Sequence, residues 1–308
     1  MKMADLENVR LHYRIDGPED GPTVVFANSL GTDMRLWDPM LPYLPKRLRL
    51  IRFDKRGHGL SSCPPSPYSM GALVTDTEKL LDLLDVRDCV FVGLSIGGMI
   101  AQGLAVKRLD MIRGLVLSNT AAKIGNPDLW QDRIDGVAKG GIEALADAVM
   151  ERWFSSAFRA GPDLELWRNM LTQQEDQGYM GCCAAISGTD FYTTTSGLRL
   201  PTLGIAGAED GSTPPDLVRE TVDLIPGSRF HLIRGTVRRK STRSSCNRRT
   251  CRSEVIAGSI LRQKVAVRRS GMFHQAHIAA IFGDQLRCPE GDEPKEVRFT
   301  LCLHVQKK

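Results

Sequence analysis

Apolar runs and amphipathic stretches alternate through most of this chain, and that rhythm limits its fold more than any other feature. Val9 to Ile15 alternates apolar with polar residues, as a half-buried strand does, whereas Thr23-Val24-Val25-Phe26-Ala27 is a continuous apolar run suited to a strand covered on both faces. Leu48 to Phe53 reads as a third strand. From Ser69 to Leu84, Leu73, Leu80, Leu81 and Leu84 recur at helical spacing, and Cys89 to Val92 returns to strand character. Ile96 to Lys107 reads as a helix and Gly114 to Leu117 as a strand. This order predicts βαβ units, hence an α/β protein with a mostly parallel central sheet and helices on both faces.

After Asn119 the alternation stops. Residues 120–197 hold helix-like stretches, Ile142 to Phe154 and Leu164 to Gln173 among them, and read as a helical lid inserted into a core made of 1–119 and 198–235. The rhythm resumes with a strand over Thr202 to Ala206, a helix over Pro215 to Leu224 and a strand over Arg229 to Ile233.

The chain's 308 residues, 42% of them hydrophobic, suffice for one large core or two modest ones. No run approaches the roughly eighteen apolar residues of a membrane span, and Met1-Lys2-Met3-Ala4-Asp5-Leu6-Glu7 lacks the apolar core of a signal peptide. The expectation is a cytoplasmic protein with no membrane partner. Its eight cysteines are then expected to be free thiols.

Gly93-Leu94-Ser95-Ile96-Gly97 falls where a predicted strand gives way to a predicted helix. A glycine-flanked serine in that setting resembles the nucleophile elbow of the α/β-hydrolases, which lifts the serine oxygen above the sheet at a sharp turn. The helix N-terminus favours the negative charge of a tetrahedral intermediate. Ser95 is therefore the candidate nucleophile. An oxyanion hole in this architecture draws on the amide after the nucleophile, here Ile96, and on one from the loop after an early strand, for which Leu30 is the candidate. The chain order of serine, acid and histidine directs the search for the acid to the end of the strand Thr202 to Ala206. Asp210 stands there, with Glu209 as its rival.

Further segments carry a closer likeness. Asn28-Ser29-Leu30-Gly31-Thr32-Asp33, Asp54-Lys55-Arg56-Gly57-His58-Gly59, Gly93 to Met99, Asn119-Thr120-Ala121-Ala122-Lys123-Ile124-Gly125, Glu151-Arg152-Trp153-Phe154 and Gly181-Cys182-Cys183-Ala184-Ala185-Ile186 resemble the 3-oxoadipate enol-lactonase branch of the α/β-hydrolases. The match runs over about residues 8–235. The resemblance implies hydrolysis of a small carboxylated enol-lactone to 3-oxoadipate, in aromatic degradation, through a serine acyl-enzyme and without a cofactor or metal. It also implies a cation for the substrate carboxylate. Arg133 matches a recurrent lid position and can grip a carboxylate with two hydrogen bonds, though a solvated helix arginine is an equal reading. Trp153 is a second candidate lining residue, or else a buried lid tryptophan. His58 precedes the nucleophile in a superfamily-wide turn and is read as structural. Cys182 and Cys183 lack the spacing of a redox pair and are read as small buried residues.

Beyond Gly235 the likeness ends. The net charge of +5 conceals a division: residues 236–308 hold 16 Lys/Arg and 6 Asp/Glu, a net of +10, and residues 1–235 hold 25 and 30, a net of −5. Residues 236–253 contain seven Lys/Arg and no acidic residue, without helical or strand periodicity. The family places its histidine just after the last strand, near position 237, where this chain has Thr236-Val237-Arg238-Arg239. His231 lies within the predicted strand, and His274 and His277 lie across unpatterned sequence. Those two with Cys246, Cys251, Cys288 and Cys302 match no zinc-site spacing.

Three functions remain to be separated: a lactonase by descent impaired by its C-terminus, a non-catalytic ligand-binding protein, and, ranked last, a hydrolase body fused to a nucleic-acid-binding arm. Hydrolysis of another ester or of a C–C bond is a variant of the first. The abrupt switch at 236 is what a GC-rich gene gives when read out of frame. DNA sequencing across codons 230 to 245 is expected to reveal another frame encoding a histidine followed by an amphipathic helix. If neither alternative frame does so, this reading of the tail is wrong.

Overall fold

The computed structural model describes residues 1–234. The basic tail of 236–308, the position near 237, His274, His277 and the four cysteines weighed as zinc ligands lie outside the described residues.

An eight-stranded sheet in the order β1-β2-β4-β3-β5-β6-β7-β8 forms the centre. Its strands are β1 (Lys2–Leu6), β2 (Val9–Asp16), β3 (Thr23–Ala27), β4 (Arg49–Phe53), β5 (Cys89–Leu94), β6 (Ile112–Ser118), β7 (Thr202–Gly207) and β8 (Arg229–Ile233). β1 and β2 form an antiparallel hairpin that joins β4 antiparallel; β4, β3 and β5 through β8 run parallel. The sequence reading omits β1. That strand sits at the sheet edge with only Ala4 buried, so it carries no apolar run to mark it.

Helices α1 (Met70–Leu83), α2 (Ile96–Lys107) and α9 (Pro215–Asp223) connect the strands. β3 is buried along its whole length, as its unbroken apolar run requires of a strand covered on both faces. α1 buries Leu73, Leu80 and Leu81 and starts at Ser69, whose hydroxyl accepts the Ala72 N–H at 3.1 Å.

Between β6 and β7 lie only helices among the described elements: α3 (Pro127–Gly140), α4 (Ala146–Trp153), α5 (Ser156–Arg159), α6 (Leu164–Thr172), α7 (Asp176–Ser187) and α8 (Tyr192–Ser196). Asn126 caps α3 by accepting Leu129 N–H at 2.9 Å, ahead of Pro127 at the first turn. The expected helix over 142–154 divides into a 3-10 turn, Ile142–Leu145, and α4.

The sheet's order fixes where a site can form. β4 and β5 flank β3 on opposite sides, so the loops leaving β3 and β5 part from one another and open a crevice at the strands' carboxyl ends. Ala27 pairs with Gly93, Leu94 with Ser118 and Ser118 with Ile205, so the four strands β3, β5, β6 and β7 end side by side. No helix among the described residues is long and apolar enough to cross a membrane.

Candidate active site

Ser95 occupies the turn between β5 and α2 with φ 56° and ψ −120°, a conformation that L-residues seldom adopt and that persists only when its surroundings enforce it. Its N–H donates to the Ser118 carbonyl at 3.0 Å, and its carbonyl accepts Gly98 N–H at 2.8 Å and the Thr120 hydroxyl at 2.7 Å. The half-buried Ser95 side chain makes no capping hydrogen bond. The adjacent glycines are a steric necessity. A Cβ on Gly97 would lie 2.1 Å from the Ala27 carbonyl oxygen, and one on Gly93 2.3 Å from the Gly97 oxygen.

Ile96 and Leu30 are both buried. Neither backbone N–H donates to a protein acceptor among the described residues. Buried amides without partners are uncommon, and a pair of them on the loops after β3 and β5 is what an oxyanion hole needs.

The loop carrying Leu30 is held from beneath. The Lys55 ammonium donates to the Ser29 carbonyl at 2.6 Å and to the Thr32 carbonyl at 3.3 Å, and the Asn28 amide also donates to Thr32. Burial pushes the Lys55 ammonium down to about 8. His58 Nε2 accepts the Gly31 N–H at 3.0 Å, and its Nδ1 lies 3.3 Å from the Arg56 carbonyl and 4.0 Å from the Cys182 sulfur. Burial, reinforced by Lys55, holds His58 well below its ordinary 6.5, so it is neutral. His58 therefore anchors the loop. The four described cysteines, Cys63, Cys89, Cys182 and Cys183, are free thiols.

Asp210 follows β7. Its Oδ1 accepts Ser212 N–H at 2.7 Å and Thr213 N–H at 2.8 Å, and its Oδ2 accepts the Asn119 amide. Burial raises its carboxyl above the usual value, against those hydrogen bonds. Glu209 is exposed. Asn119, to which the sequence assigns no role, sits at the end of β6 with φ 43°. Its neighbours Ser118 and Thr120 hold Ser95, so one three-residue segment ties serine and carboxylate together. An asparagine just past a strand, where a left-handed residue fits, is the signal that could have found it.

Trp153 and Tyr179 both face the Leu30 loop, since a Cβ on Gly31 would lie 3.6 Å from the Trp153 ring and 3.1 Å from the Tyr179 ring. The Arg152 carbonyl accepts Gly211 N–H at 3.0 Å, which joins the end of α4 to the Asp210 loop. Arg133 is half-buried, stacked 5.1 Å from the centre of the Trp130 ring, with no carboxylate paired to it among the described residues. The Arg133 cation acts on the Tyr179 hydroxyl, which burial raises. Arg133, Tyr179, Trp153 and the Leu30 loop are thus linked through Tyr179 and Gly31.

The described histidines stand elsewhere: His12 is bonded to Asp54 at 2.8 Å, His58 is under the Leu30 loop, and His231 lies within β8 opposite Ile205.

Known proteins share this fold. Residues 22–140 match the family model described as alpha/beta hydrolase fold. The chain is 36% identical over 209 residues to 3-oxoadipate enol-lactonase 2 of Acinetobacter baylyi, covering 67% of this chain and 78% of that protein. The enol-lactonase from Burkholderia xenovorans LB400 superposes with a TM-score of 0.73 at 37% identity, over 75% of this chain and 91% of that one. A hydrolase from Pseudomonas aeruginosa PA01 gives a TM-score of 0.73 at 36% identity, over 75% and 89%.

His58 must stay neutral to accept the Gly31 proton. Between its low folded pKa and the ordinary 6.5, the unfolded chain binds a proton that the folded chain does not, so stability falls as pH drops below 6.5. Thermal melts from pH 7.5 down to about 5 are expected to show a steeper acid loss for the wild-type chain than for His58→Gln, reflecting this titration. Equal slopes would remove His58 from this account.

Proposed function

The chain belongs to the 3-oxoadipate enol-lactonase family of the α/β-hydrolases, and from that premise we propose that its site is built to open 3-oxoadipate enol-lactone through an acyl-enzyme on Ser95. The observation that carries this reading is the left-handed Ser95 elbow together with two buried amides, those of Leu30 and Ile96, that have no partner among the described residues. In the first step Ser95 Oγ adds to the lactone carbonyl and gives up its proton to solvent water, no described histidine standing beside it, and the resulting oxyanion accepts hydrogen bonds from both amides. The ring C–O bond then breaks, and the departing enol settles as a ketone, which makes ring opening hard to reverse. Water hydrolyses the ester on Ser95 to release the diacid. Arg133 grips the substrate carboxylate, and Trp153 walls the pocket over the Gly31 loop. Helices α3 to α8 act as the lid over the core, and aromatic degradation in the cytoplasm is the setting that goes with this substrate.

Asp210 would orient an imidazole, but the first histidine after His231 is His274. In an unrelated serine hydrolase with the same triad, loss of the histidine lowers turnover on the order of a millionfold, leaving what the oxyanion hole and binding supply. We therefore read this chain as an impaired enol-lactonase. An enol leaves with less need of a proton than an amine, so acylation suffers less than deacylation. The lack of a histidine at Asp210 among the described residues also favours a second reading, a hydrolase-fold protein that binds the lactone without turning it over.

Loss of the enol-lactone's ultraviolet absorbance decides between them. The expected outcome is a slow turnover by the full chain, roughly a millionfold below that of a histidine-bearing relative, yet above that of Ser95→Ala because the enol leaving group lets Ser95 acylate without a histidine. Equal rates for the chain and Ser95→Ala, with saturable ligand binding, would exclude catalysis.

A further inference from the structure

The buried ammonium of Lys55 lies one peptide unit behind the oxyanion hole. It donates to the Ser29 carbonyl at 2.6 Å, and the Thr32 hydroxyl donates to the same oxygen at 2.9 Å. A trans peptide is planar, with its C=O and N–H pointing in opposite directions. Fixing the Ser29 carbonyl toward Lys55 therefore turns the Leu30 N–H away from Lys55, and that N–H finds no protein acceptor among the described residues. The next amide, that of Gly31, is occupied by His58. Of these two consecutive amides, only Leu30's is left for a ligand.

We infer that Lys55 is a positioning residue for the oxyanion hole, setting the direction of the Leu30 N–H through the Ser29 peptide and strengthening it as a donor. The inference rests on the reading of Ser95 as a nucleophile whose oxyanion sits at Leu30 and Ile96. Hydrogen bonds in a chain polarise one another. A cation on the Ser29 oxygen draws electron density along the peptide and leaves the Leu30 proton more positive. The sequence Nζ–H···O=C–N–H···O⁻ thus extends a buried positive charge to the forming oxyanion without placing a flexible side chain in the pocket.

The charge state of Lys55 makes the relay dependent on pH. The groups facing it are Cys182 from α7, the Asp54 and Asp33 carboxylates and His58. Cys182 is pushed up to about 12 by burial and His58 is held well below 6.5, whereas Lys55 is brought down to about 8 by burial. As pH rises through that value Lys55 loses its charge, its bonds to Ser29 and Thr32 weaken, and the Leu30 amide loses polarisation.

Two measurements on the full-length chain test this, and the first needs no activity. In Ser95→Ala, the Leu30 amide proton resonance is expected to titrate with an apparent pKa near 8, and to lose that titration in Ser95→Ala/Lys55→Met. A Leu30 resonance that ignores pH, or that titrates equally without Lys55, overturns the inference. The second follows the p-nitrophenolate burst from p-nitrophenyl acetate, whose leaving group needs no proton. Lys55→Met is expected to lower the Ser95-dependent acylation rate on the order of a hundredfold, as loss of one oxyanion donor does, with little change in KM. Lys55→Gln, which keeps one donor, is expected to recover part of the rate and serves if the methionine variant does not fold. The wild-type to Lys55→Met ratio should fall as pH passes about 8. Ser95-dependent acylation that both Lys55 variants leave unchanged overturns this inference alone; acylation that is the same in Ser95→Ala overturns the nucleophile reading and this one with it.

Discussion

Backbone contact between α2 and β3 is the constraint on which the rest of the site depends. Gly97 approaches the Ala27 carbonyl so closely that a Cβ would lie 2.1 Å from it. That approach places the first turn of α2, which carries the Ile96 amide, against the end of β3, from which the Leu30 loop leaves. It also requires the turn between β5 and α2 to be sharp, which accounts for the left-handed backbone of Ser95. Strain of this kind costs on the order of 1–3 kcal/mol and is sustained by the buried strands on either side.

Around that contact the site is assembled mostly by carbonyl anchoring from buried polar groups. Lys55 holds two carbonyls of the Leu30 loop, Thr120 holds the Ser95 carbonyl, and Asn119 holds Asp210. These groups sit at or near the carboxyl ends of β4 and β6, the strands beside β3 and β5. A buried Lys and a buried His share one small region because each is used in the form its partners need: Lys55 as donor to carbonyls, His58 neutral as acceptor of an amide proton.

Much of this is legible in the sequence where the signal is local. β3, α2 and β8 begin and end where their apolar patterns do, because each is bounded by residues that change character abruptly. The elbow is legible for the same reason, since a glycine-flanked serine between strand and helix is complete within five residues. β1 is not, because an edge strand with one buried residue has no pattern to offer. Neither are Asn119 and Lys55. Their partners lie 91 residues away in Asp210 and 26 residues away in Ser29, and only the strand order brings these together. The departure at 236 is legible as sequence alone, because it contrasts with a family pattern that the preceding residues keep.

The central claim is the proposal that Ser95 is held for attack while no described histidine stands at Asp210 to activate water for the second step. Intact-mass measurement after mixing the full chain with enol-lactone tests it most directly, since slow deacylation should trap the intermediate. The account predicts a single adduct of the lactone's mass on the peptide containing Ser95, absent in Ser95→Ala and cleared by added imidazole. Lactone turnover without any adduct and undiminished in Ser95→Ala would contradict it.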